Sequence, residues 1–216
     1  AERFGVAGSV LVGDLMLGWS SEIFGNALLA APNTAIETSC RNEFSKMRVE
    51  VMAGQYLDVL EENAANTRPV DEAVGRANRV ILYKTAKYSL EAPLLIGSAL
   101  GGGGKNQRLG LSAFGIPLGL AFQLRDDLLG VFGDPAVTGK PAGDDLREGK
   151  PTLPLIYLLE NGNSEEQFLV RSAITQNTDL PEDVFEQILT AVQGSGALEY
   201  TQLAAKREAD LALGNI

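Results

Sequence analysis

The stretch FQLRDDLLGVFGDP, Phe122 to Pro135, sets two adjacent carboxylates, Asp126 and Asp127, into a run of large apolar residues. On an α-helix Gln123 lies one turn before them, so the amide and both acids share a face. Around them stand Leu120, Ala121, Phe122, Leu124, Leu128, Leu129, Val131 and Phe132, a pattern that predicts a helix apolar all round and therefore buried. A solvated acidic face would carry polar residues one turn away, where this sequence has Phe122, Leu129, Gly130 and Val131. A buried carboxylate must shift its pKa, find a cation or ligate a metal. Asp126 and Asp127 are therefore read as functional residues, with metal ligation one of these outcomes.

Other polar residues interrupt apolar helices in the same way. Lys84 and Thr85 break the run VILYKTAKYSL, with Tyr88 one turn beyond Lys84, and Gln55 and Asp58 lie three apart in VMAGQYLDVL. A lysine ordinarily snorkels to water, which suits Lys87 on an outer face, and a lone Asp58 suits a half-exposed position. Three helices that bring an amide and both kinds of charge into one core are poorly explained by separate surface accidents. Directly after the acidic helix comes GDPAVTGKPAGDDLREGKP, Gly133 to Pro151, a glycine-rich loop or lid carrying Lys140, Arg147 and Lys150. Acids and cations at one mouth suit a phosphate ester held through a divalent cation, with Mg²⁺ bridging carboxylate and phosphate oxygens. Asp58 and Asp144 are further candidates for that cation. A glycine-rich phosphate loop offers no rival, because Gly104-Lys105 lacks a glycine five positions earlier and is followed by Asn106.

These residues must be placed by helices. Helical periodicity dominates and the punctuation is Pro, Gly and Asn, so the predicted class is all-α, read as one domain over 1–216. A first helix is predicted from Phe4 to Leu29, ending at Pro32, and a second from there to about Glu62. A third runs from about Val70, with Asp71 and Glu72 suiting its N-terminus, to the stop at Gly101 to Gly104. The fourth carries the acids, with Pro117 expected to bend it. Shorter helices follow at Leu153 to Glu160, Ser164 to Ile174, Pro181 to Val192 and Ala197 to Leu213.

Composition narrows the chemistry. The 216 residues are 45% hydrophobic, enough for one large domain. One Cys and no His rule out an intrachain disulfide, the usual zinc sites, and Ser-His-Asp or Cys-His machinery, and they point to a reducing, cytoplasmic setting. A net charge of −10 argues against a broad nucleic-acid surface. The longest charge-free run, between Arg108 and Arg125, holds Pro117 and several glycines and is shorter than the roughly 18 residues of a spanning helix. No transmembrane segment is expected. The opening residues enter an apolar pattern without a start Met or a cap, so the chain is expected to begin inside a longer protein.

GQYLDVL, YKTAKYS and FQLRDDLLGVFGDPAVTGKPAGDDLREGKPT, in that order and spacing, resemble the trans-prenyl diphosphate synthases, which join isopentenyl diphosphate to an allylic diphosphate on an all-helical fold. The resemblance spans most of the chain and implies a single-domain helical bundle of the isoprenoid synthase type with a central apolar cavity. It implies that Asp126 and Asp127 belong to the second aspartate-rich motif, with Asp126 the direct Mg²⁺ ligand, and that Lys140 and Lys150 hold the allylic diphosphate. It places Lys84, Thr85 and Gln123 beside the reacting carbon, with Gln55, Tyr88 and Phe122 against the substrate. It further implies geranyl or farnesyl diphosphate as co-substrate, geranylgeranyl diphosphate as product and a homodimer. There are two departures. The motif reads DDLLG, with Gly130 where the family carries an acid, and the family's first aspartate-rich motif is not among these residues. Its place would be before Ala1. The alternatives are a non-catalytic helical subunit of a heteromeric synthase and a terpene cyclase.

Overall fold

A computed structural model describes residues 2–64, 67–134, 136, 139, 143–147, 149–175 and 180–215. Lys140 lies outside the described residues. Among those described, every regular element is helical: α1 (Glu2–Leu28), α2 (Thr34–Ala64), α3 (Ala73–Ile81), a π-helical segment π1 (Leu82–Glu91), α4 (Ala92–Leu100), α5 (Lys105–Phe132), a single turn α6 (Asp144–Arg147), α7 (Leu153–Asn161), α8 (Ser164–Thr175), α9 (Glu182–Gly194) and α10 (Ala197–Leu213).

The stops follow local chemistry. The Asn33 carboxamide accepts the Ile36 N–H at the start of α2, and Gly102 turns the chain after α4 with φ 73°. The third predicted helix differs in two ways. It begins at Ala73 rather than Val70, because Glu72 takes a left-handed conformation and the Glu160 carboxylate of α7 accepts the Val74 N–H. Its middle is also π-helical, so the Ala92 N–H donates to the Lys87 carbonyl five residues back. Helix α5 runs through Pro117. The proline cannot donate to the Ala113 carbonyl, and the Asn215 side chain donates there instead at 3.3 Å.

The main apolar core lies among α3, α6, α7, α8, α9 and α10, around Leu146, Leu155, Leu158, Val170, Ile188 and Val192. Ile81, Leu124 and Leu153 form a second cluster beneath the acids of α5. Helix α2 packs along π1 and α4, and the Lys87–Glu50 and Arg108–Glu43 ion pairs pin α2 to π1 and α5 respectively.

Helix α5 is not buried all round, as its pattern suggested. Leu124, Asp127 and Val131 are buried, whereas Phe122, Arg125, Asp126 and Leu129 face outward. The search for a spanning segment also needs correction. Phe4–Leu28, with Asp14 and Glu22 inside it, is long and apolar enough to cross a membrane by length and composition. In this structure α1 packs sparsely, and Phe4, Leu11, Trp19 and Ile23 are all more than half exposed.

Candidate active site

Helices α2, α3, π1, α5 and α7, with the segment around Asp145, enclose a cavity of about 460 Å³. One wall is apolar, formed by Ala73, Ala77, Val80, Ile81 and Ile156. The rest is largely charged: Asp58, Glu61, Glu62, Lys84, Asp126, Asp127, Asp145 and Lys150, with Thr85, Gln123 and Thr152 between them.

A connected polar chain crosses the cavity from π1 to α5. The Thr85 hydroxyl donates to Gln123 Oε1 at 2.8 Å, and Gln123 Nε2 donates to Asp127 Oδ1 at 3.0 Å and, more loosely, to Asp126 Oδ2 at 3.4 Å. Because its proton is committed to Gln123, the Thr85 hydroxyl offers other groups only acceptor lone pairs. On the far side Lys84 pairs with Asp58, and Gln55 donates to the same Asp58 oxygen at 3.4 Å. Asp58, read as a possible metal ligand, is therefore engaged by a lysine.

The two adjacent acids have different surroundings. Asp126 is exposed. Asp127 is buried, and its Oδ2 accepts the Leu153 N–H at 2.9 Å, capping the first turn of α7. Thr152 holds the N-cap position of that helix, yet its own hydroxyl is buried without a partner among the described residues. Burial pushes the Asp127 carboxyl up to about 6. The Leu153 amide and the Gln123 side chain pull the other way, and the neighbouring Asp126 and Asp145 charges add to the rise.

This gives a prediction for the Mg²⁺-free protein. A carboxyl whose folded pKa exceeds its ordinary 3.8 favours folding fully below that value, and the contribution is lost as pH rises through about 6. The buried charge then costs roughly 3 kcal/mol by pH 7. Asp127→Asn, which keeps an acceptor for Leu153, should gain stability relative to the unsubstituted protein by about that amount between about pH 4 and 7. Urea unfolding at both pH values measures it, and a stability difference independent of pH would contradict it.

Several expected site residues lie elsewhere. Asp144 does not line the cavity; its neighbour Asp145 does, buried and paired with Lys150 at 2.7 Å. A methyl at Gly130 would fall 2.6 Å from the Asp145 carboxyl carbon, so the Asp145 carboxylate occupies the space beside the position where the motif departs. Arg147 is an anchor rather than a cavity cation. It makes a two-pronged bond to Glu182 at 2.8 and 3.0 Å and stacks over Phe185 at 4.0 Å. Tyr88 and Phe122 are exposed and outside the lining, and Gln55 reaches the cavity through Asp58.

The sequence reading missed Asp145, Thr152, Glu61 and Glu62. Gly130 was the available signal for Asp145, because a missing side chain on a helix marks a close approach by another group. Glu61 is held by Arg68 and Arg76.

The donor set suits a magnesium diphosphate. Among the described residues no group of three or more acids could hold a metal ion, and Mg²⁺ commonly takes one or two carboxylates and completes its shell with phosphate oxygens and water. The partnerless Thr152 hydroxyl and the Lys150 ammonium are donors for such oxygens.

A family model described as polyprenyl synthetase matches residues 1–192. The chain belongs to that family. It is 34% identical over 214 residues to the octaprenyl diphosphate synthase of Escherichia coli, covering 97% of this chain and 60% of that protein. It is 31% identical to the (2E,6E)-farnesyl diphosphate synthase of Mycobacterium tuberculosis, over 94% of this chain and 54% of the relative. A crystal structure of geranylgeranyl pyrophosphate synthase from Corynebacterium glutamicum, complexed with isoprenyl diphosphate and magnesium, superposes with a TM-score of 0.86 at 34% identity. That match covers 99% of this chain and 58% of the other. The chain thus spans about 60% or less of the polyprenyl synthetases it matches here, and the all-α class expected from its periodicity is theirs too.

Proposed function

We propose that the protein is a Mg²⁺-dependent trans-prenyltransferase that condenses isopentenyl diphosphate with geranyl or farnesyl diphosphate. The observation that carries the reading is the polar chain Thr85–Gln123–Asp127, with Asp126 beside it and Lys150 with Asp145 on the same cavity. In this reaction the allylic C–O bond breaks with its electron pair leaving on diphosphate. The isopentenyl double bond then attacks the allylic carbon, and a proton passes from the condensed product to the released diphosphate. Asp126 would hold the magnesium, whose chemistry when bound is to neutralise the leaving diphosphate. Lys150 and the Thr152 hydroxyl would bind diphosphate oxygens, and Lys140 is assigned the same role from its motif alone. Thr85 and Gln123 would set oxygen dipoles toward the allylic cation, stabilising it without a nucleophile strong enough to trap it. Val80, Ile81 and Ile156 would keep water from it.

The product we assign is geranylgeranyl diphosphate, supported by the likeness to the Corynebacterium glutamicum enzyme. We also assign a cytoplasmic homodimer of one helical domain per subunit, supported by the lone free Cys40 and by the bare apolar side chains of α1 as the subunit contact. The test is to assay the complete coding product with labelled isopentenyl diphosphate, each allylic partner in turn, and Mg²⁺ or a chelator. Mg²⁺-dependent incorporation into a C20 product is expected. Absence of incorporation with either partner would overturn the reading, and a product of another length would overturn the product assignment alone.

A further inference from the structure

Segment π1 carries Lys84 and Thr85 and is the one π-helical element among the described residues. Its two flanks meet a glycine each. A methyl at Gly54 of α2 would fall 2.5 Å from the Lys84 nitrogen and 2.6 Å from the Tyr83 carbonyl carbon. A methyl at Gly119 of α5 would fall on the Ala86 Cα and 2.7 Å from its Cβ. The obstacles are mostly backbone atoms, which cannot rotate aside as a side-chain tip can. Gly97 on α4 and Gly110 on α5 differ, because a methyl at either meets nothing within 4 Å.

The register adds a second observation. Gly54 lies one helical turn before Asp58, the partner of Lys84, and Gly119 lies one turn before Gln123, the partner of Thr85. Each backbone approach therefore sits next to the polar pair on the same helix. We propose that Gly54 and Gly119 form a clasp that fixes the depth of π1 between α2 and α5, and so the reach of Lys84 and Thr85 into the cavity. They are positioning residues: neither touches substrate, and both act through the residue pair one turn on. A π turn is wider than an α turn and is uncommon, and the clasp is what holds it in place. The inference rests on the proposed prenyl transfer for its effect on rate, and on packing alone for its effect on π1.

The test uses Gly54→Ala and Gly119→Ala in the complete protein, with Gly97→Ala and Gly110→Ala as controls in open space. Displacing reacting groups by about 1 Å costs up to about 100-fold. The clasp variants should lose about 10- to 100-fold in kcat, with KM for the allylic diphosphate changed less than about threefold, while the controls retain wild-type values. In a Thr85→Val background, Gly119→Ala should cost less than about threefold, because the link it acts through is already broken. A general loss of packing would instead add its full effect in both backgrounds. Should Gly119→Ala fail to fold, Ala86→Gly loosens the same contact without a clash and should still lower kcat; should Gly54→Ala fail, the Gly119 variants decide. Amide exchange across residues 82–91 should quicken in the clasp variants and not in the controls. Unchanged kcat in folded clasp variants, additive losses, or unchanged exchange in π1 would each overturn the clasp. An inactive wild-type enzyme would instead refute the proposed function, and the exchange measurement then decides the clasp by itself.

Discussion

Asp126→Asn in the complete protein is expected to lower turnover by at least about 10²- to 10³-fold, the cost commonly seen when one group preplaced at a developing charge is removed, while the helical fold persists. The two outcomes have separate causes. Asp126 is exposed, and its bond to Gln123 is long at 3.4 Å, so its charge can be removed without leaving a buried group unsatisfied. Its carboxylate is also the less engaged of the adjacent pair, since Asp127 already receives Leu153 and Gln123. Asp126 is thus the acid of the pair more open to a cation. Steady-state rates against Mg²⁺ concentration, with circular dichroism as the control, test this. Near wild-type turnover with an unchanged Mg²⁺ requirement would remove Asp126 from the role of ligand.

The 216-residue chain expressed alone is expected to bind magnesium diphosphate and fail to condense prenyl diphosphates, at least about 10³-fold below the complete coding product, since losing a whole charge-stabilising wall exceeds the loss of one donor. The acids at the α5 end are Asp126, Asp127 and Asp145, with Lys150 beside them. On α2, Asp58 is held by Lys84 and Glu61 by Arg68 and Arg76. Those two carboxylates are already paired, and Glu62, the third α2 acid on the cavity, makes a poor second jaw for a metal cluster by itself. The resemblance of the motifs implies a diphosphate clamped between two acidic motifs, one of which is absent from these residues. Both proteins should be compared for helicity, for binding of a non-cleavable allylic diphosphate, and for isopentenyl incorporation. Comparable turnover would show that the groups lining this cavity suffice.

The helices were legible because their ends are written in local chemistry: Pro32 closes the first, Gly101 to Gly104 close the third and Gly133 closes the fourth. The π turn was not, because LYKTAKYSLE contains neither Gly nor Pro and the glycines that approach it, Gly54 and Gly119, lie on other helices. Lys84, Thr85, Gln123, Asp126, Asp127 and Lys150 were legible as interruptions of apolar runs or by their motif, and the structure brings them onto one cavity. The different surroundings of Asp126 and Asp127 were hidden, since they depend on a hydrogen bond from Leu153, twenty-six residues away. Asp144 and Asp145 are neighbours of identical type, and packing against Gly130 together with the ion pair to Lys150 separates them. Arg147 looked like a ligand-binding cation because its partners, Glu182 and Phe185, come from a distant helix.

The hydrogen bond between Leu153 and Asp127 has a spectroscopic use. A cation bound at Asp126 would stabilise the neighbouring negative charge, so near pH 6 more of Asp127 is ionised, and a carboxylate accepts the Leu153 N–H more strongly than the neutral acid does. The Leu153 amide proton should then move downfield in a ¹⁵N-correlated NMR spectrum as magnesium is added. A single backbone resonance, remote from any chromophore or label, would thereby report metal occupancy in a protein that has no histidine to observe.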